Sequence, residues 1–151
     1  MKAIELKTLR DKCLLFNQFM IEKGHFPEAL LGSLKESKVL IEVAYEKGNL
    51  KSLRSMSNDI DNQVIRYMPL SMALELKILF MEKLGVDFEA VNKARLKAID
   101  KVLKKGKISS ANEYELLIEY VDEIYSDPEK ALVVERLNEM LAAFDKERNA
   151  N

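Results

Sequence analysis

The sequence is short of the residues on which most enzyme chemistry depends. Among 151 residues there is one cysteine and one histidine. A single cysteine excludes an internal disulfide, and the Cys or His pairs of a structural zinc site are missing, as is HExxH. Cys13 lies mid-helix in an apolar run, where a buried structural thiol is expected; a nucleophilic cysteine needs a helix N-terminus or a neighbouring cation to lower its pKa. His25 stands in "KGHFPE" with no recognised nucleophile or orienting carboxylate beside it. Neither GxGxxG nor GxxxxGK occurs, which removes the usual warrant for nucleotide chemistry. "DIDNQV" (59–64) opens like an EF-hand loop, but Val64 falls where that loop needs glycine and Leu70 where it needs glutamate. On this reading there is no catalytic residue, no metal ligand and no cofactor.

Glycine and proline are also scarce, at 5 and 3 residues, so connections should be few and short. No segment approaches the ~20 consecutive apolar residues of a membrane helix. The N-terminal "MKAIELKTLRDK" is charged throughout and lacks the apolar centre of a secretion signal. With its lone cysteine, this makes a reducing, cytoplasmic location the expectation. An excess of one charge is missing too: 24 Lys and Arg face 25 Asp and Glu. The broad basic field that supplies most non-specific nucleic-acid affinity is therefore absent, although a local patch is not excluded.

What the sequence has in abundance is apolar residues, 48% of the chain, at a helical period. Leu6, Leu9, Cys13, Phe16 and Met20 recur at threes and fours, widened by Leu14, Leu15 and Phe19, up to a stop at Gly24. Pro27 and Glu28 open a second helix with Leu30, Leu34, Ile41 and Tyr45 on one face. A third runs from Leu50 to about Tyr67 through Leu53, Ile60 and Val64, with Ser57 in the same register. Its polar centre predicts a kink or break near Ser57–Asp59. Pro69 forces a joint. The dense fourth segment aligns Leu70, Leu74, Ile78 and Met81, with Leu76, Leu79 and Phe80 on a second side, and is expected to be the central helix. After Gly85, Asp87 is the expected cap of a fifth helix that turns Phe88, Val91, Ile99 and Val102 inward and ends at Gly106.

Ser110 and Glu113 then form a capping box, followed by a face of Tyr114, Leu117, Ile118, Val121, Ile124 and Tyr125. Asp127, Pro128 and Glu129 open the last helix, with Val133, Leu137, Met140, Leu141 and Phe144 as its stripe. No strand pattern competes. The fold expected is all-α, a compact array or bundle of about six to seven helices with short connections, in a single domain over 1–147 with a frayed tail over 148–151. "FMIEKGHFPEAL" (19–30) and "FMEKLGVDFEAV" (80–91) share Phe, Met, Gly, Glu and Ala. Common helix-joint chemistry accounts for this ahead of an old duplication.

Two charged groupings remain. Lys97, Lys101, Lys104, Lys105 and Lys107 crowd the fifth helix and its end, where cations complement the helix dipole. Glu115, Glu119 and Glu123 share one side of the sixth helix. The Glu-x-x-His motifs of a di-metal bundle are absent, so solvation, or docking of a basic partner, explains this ridge. Were Gly106–Ser110 the turn of a helix-turn-helix, the reading helix would be acidic and would repel phosphates. These eight residues are the candidate partner-binding set. The expected function is a small regulatory or inhibitory protein-interaction module that docks by its surface, onto a protein partner or a second copy. A nucleic-acid-associated regulator using the fifth-helix lysines is the alternative, and an enzyme built from carboxylates and His25 a further one.

Overall fold

The helical period runs through the whole of the described chain. The computed structural model describes residues 2–150 and contains seven α-helices and no strand among them. They are α1 (Lys2–Lys23), α2 (Glu28–Glu46), α3 (Leu50–Arg66), α4 (Leu70–Leu84), α5 (Glu89–Lys105), α6 (Ala111–Ile124) and α7 (Ala131–Ala150); a short 3₁₀ turn, Pro128–Lys130, precedes α7. The expected all-α array is therefore the fold, and α3 crosses Ser57–Asp59 without a break. α7 continues through Arg148 and Asn149 to Ala150, where the sequence predicts a frayed tail; Asn151, the last residue of that tail, and Met1 lie outside the described residues.

The helices pack as two units, one ending at Ala94 and the other starting at Arg95. In the first, α1 touches α2, α3 and α4, and α2 also touches α3. This corrects the expectation that α4 is central. α1 holds that place because Cys13, Phe16, Phe19 and Met20 are buried over too wide an arc for one neighbour to cover. They meet Ile41 and Ala44 of α2, Leu53, Ile60 and Val64 of α3, Ala73, Leu76 and Phe80 of α4, and Phe88 and Val91. Phe80 and Phe88 stack with centroids 4.3 Å apart. Asn17, buried within the stripe, donates from Nδ2 to the Leu34 carbonyl at 2.9 Å. In the second unit, Ile99 and Val102 of α5 pack with Ile108, Leu117 and Ile124, and with Leu137 and Met140 of α7. The Arg136 guanidinium donates to the Leu103 carbonyl, tying α7 to the end of α5.

Several residues expected inside are at the surface. Leu30, Leu74, Ile78, Met81, Ile118 and Tyr125 are exposed, and Tyr67 falls just past the end of α3 and is exposed as well. On α4 the line Leu74–Ile78–Met81 faces out, and the buried side is the second one, completed by Ala73. Asp87, expected to cap α5, instead accepts from Asn92 Nδ2 at 2.9 Å.

The two similar joints are built differently. Gly85 takes the left-handed conformation that ends α4, at φ 66°. After α1 that conformation falls on His25, at φ 52°, and Gly24 serves a different end. The Phe26 ring lies over it so closely that a Cβ there would come within 2.1 Å of the ring and 2.6 Å of the Met20 carbonyl oxygen. Gly32, inside α2, has no such neighbour within 4 Å. Gly24→Ala should therefore destabilise the chain by roughly 1–3 kcal/mol through overpacking. Gly32→Ala should stabilise it by about 0.5–1 kcal/mol through helix propensity. Urea unfolding of the two variants beside the wild type checks both signs; equal effects would refute the packing of Phe26 on Gly24.

Candidate functional site

The charged end of α5 is organised by the start of α6. Ser110 is extended, and its Oγ accepts the Glu113 N–H at 3.2 Å. The Glu113 carboxylate reaches back to the Ser109 N–H at 2.7 Å, one residue ahead of the cap, and takes the Lys105 ammonium at 2.9 and 3.0 Å. Burial pushes the Glu113 carboxyl up, but the Ser109 N–H and the Lys105 bond and charge outweigh it, leaving the pKa below the usual 4.5. Lys104 pairs with Asp100, one turn back, at 2.9 Å. Glu123 pairs with Arg95 at 2.8 Å.

Of the eight residues singled out in the sequence, Lys104, Lys105 and Glu123 thus have partners inside the fold. Lys97, Lys101 and Lys107 are exposed, as are Glu115 and Glu119, and none of the five makes an ion pair among the described residues. Lys97, Lys101 and Lys104 do follow the exposed side of α5, at intervals of four and three. On the far side of α6, the Tyr114 hydroxyl donates to Asp145 at 2.8 Å. That bond, with some help from burial, raises the phenol's pKa.

A second grouping was hidden from the sequence because its members lie 45 to 49 residues apart. Lys12 sits on the polar flank of the α1 stripe. Its ammonium donates to Ser57 Oγ at 2.8 Å and to Asp61 at 2.7 Å, and lies 5.2 Å from the centre of the Phe88 ring. Lys12, Asp61 and Phe88 line a cleft of about 310 Å³, together with the apolar Phe80, Leu84 and Val86 and the acidic Asp11, Asp87 and Glu89. The residues around it are largely engaged: Asp11 with Arg10, Asp87 with Asn92, and the Thr8 hydroxyl with the Ile4 carbonyl. The lining includes no histidine, cysteine or serine to act as a nucleophile with a base. Cys13, next in sequence to Lys12, is sealed in the core; burial raises its pKa to about 11, Lys12 pulling it down and Asp61 adding to the rise. No group of three or more metal-binding side chains gathers among the described residues.

The third grouping is apolar. Leu74, Ile78 and Met81 form one exposed row along α4, with Ile78 59% and Met81 51% accessible. Glu75 and Glu82 are exposed along one flank of the row, and neither makes an ion pair among the described residues. No helix among the described residues is long and apolar enough to cross a membrane, so the row is not part of a spanning segment.

Comparison with protein-family models, with curated proteins and with solved structures finds no match to the chain.

The Glu113 arrangement has a pH signature. A carboxyl whose pKa is lowered by folding contributes stability at pH values above its unfolded value, and that contribution is lost as the pH falls through the lowered folded value. Glu113→Gln should cost about 1 kcal/mol at pH 7, typical of a lost cap. The difference from wild type should shrink once the pH drops well below 4.5. Urea titrations at pH 7 and at acid pH read this directly; a deficit that does not change with pH would remove the carboxylate from the cap.

Proposed function

We propose that the chain is a protein-interaction module and that the α4 row is its docking face. The observation that carries this reading is the exposed row Leu74–Ile78–Met81 with its one-sided acidic flank, Glu75 and Glu82. Large apolar side chains scattered singly over a surface need no explanation, but three in register on one helix form the kind of stripe that another helix covers. The spacing i, i+4, i+7 matches an amphipathic partner helix of about two turns. The acidic flank favours a partner whose apolar stripe is bordered by Lys or Arg, because complementary charge speeds encounter and fixes register. The work is done by binding. Regulation or inhibition of the partner would follow from covering the partner's own helix.

A photo-reactive side chain placed at Ile78 and irradiated in a native extract tests the reading. One adduct of defined mass is expected. It should fall at least several-fold at high salt and again in the Glu75→Lys, Glu82→Lys double variant. Adducts that are the same from a probe at Lys97, or that ignore both salt and the charge reversal, would overturn it.

A further inference from the structure

A second apolar face lies on α2, and its charges indicate what covers it. Inward, α2 buries Ile41 and Ala44 and packs Leu34 and Tyr45 against the core. On the opposite side Val39 and Leu40 are 60% and 59% accessible, and Val43 is exposed beside them. At 3.6 residues per turn, these three form one outward stripe with Glu36 and with Lys47 at the helix end. Lys35 and Glu46 border the stripe on one flank. All four charged residues are exposed, and none makes an ion pair among the described residues.

The charges read Lys35, Glu36 before the apolar residues and Glu46, Lys47 after them, so the order reverses across the patch. That order is self-complementary only under a two-fold antiparallel arrangement. With Leu40 set against Val43 of a second copy, Glu36 faces Lys47 of that copy, and Lys35 comes beside its Glu46. The two-fold axis repeats both pairs. A parallel arrangement sets Glu36 against Glu36 and Lys47 against Lys47, and the like charges repel. A two-fold contact must be complementary to itself, and this patch is.

We propose that a second copy of this chain covers the outward face of α2, forming an antiparallel α2–α2 pair. This goes beyond the docking assigned to α4 and uses a different surface. One helix pair buries less than the roughly 1,200 Å² at the low end of specific interfaces, so the dimer should be reversible and micromolar.

Sedimentation velocity of the full chain across a range of concentrations tests it. A monomer–dimer equilibrium is expected, lost in Leu40→Glu with Val43→Glu, while circular dichroism shows the helices intact. Glu36→Lys alone should weaken the dimer about tenfold, because it places like charges at two symmetric positions. Adding Lys47→Glu should restore it, and this rescue does not depend on the apolar variant folding. Ile78→Glu, on α4, should leave the dimer unchanged. A chain that stays monomeric at all concentrations overturns the proposal. So does a dimer that ignores Glu36→Lys, that Lys47→Glu fails to rescue, or that Ile78→Glu breaks.

Discussion

Helix α1 carries buried side chains over too much of its circumference for one partner to hide, and the arrangement of the first unit follows from that. Cys13, Phe16, Phe19 and Met20 require cover from several directions, so α2, α3 and α4 all pack on α1. Apolar contact alone would let those helices slide. Two polar side chains on α1 limit the sliding. Asn17 is buried and reaches a carbonyl of α2, and Lys12 reaches a hydroxyl and a carboxylate of α3. A buried donor left without an acceptor costs more than the bond itself contributes, so Asn17 fixes the height of α2, and the half-buried Lys12 adds its ion pair to α3. Among the described residues, no buried side-chain nitrogen or oxygen lacks a hydrogen bond.

The punctuation of the fold was legible. Gly85 and Gly106 close helices in the left-handed conformation, Ser110 and Asp127 cap the next ones, and the α3 stripe Leu53–Ser57–Ile60–Val64 is buried as its spacing predicts. The orientation of α4 was not. Its two apolar lines have the same helical period, and period alone cannot choose between them. Ala73, whose small side chain carries little weight in a hydrophobic pattern, is buried on the same side as Leu76 and Phe80. Tyr67 has the right spacing for burial but lies past the last turn of α3, so its position is set by the joint before Pro69. The Lys12 grouping was invisible for another reason: nothing local links a lysine on α1 to an aspartate 49 residues later.

The charges present a similar division. A run of lysines beside an acidic helix looks in one dimension like two opposed surfaces. In three dimensions Lys105 completes a helix start, Lys104 pairs within its own helix and Arg95 takes one glutamate of the ridge. What separates structural from free charge is the geometry of the joint after Gly106, which brings Lys105 back to Glu113. The apolar surface makes the stronger case for function. Its two stripes lie on helices whose other faces are already committed to the core, so their outward residues are not needed to hold the fold.

Cys13 has a use that its burial creates. The thiol is shielded from solvent, and burial raises its pKa to about 11, so it is held protonated near neutrality. Alkylating reagents act on the thiolate, so they meet this sulfur only when the helices around α1 part. With no second cysteine to compete or exchange, the rate of modification becomes a clock for the transient opening of that core, built into the natural chain without any label.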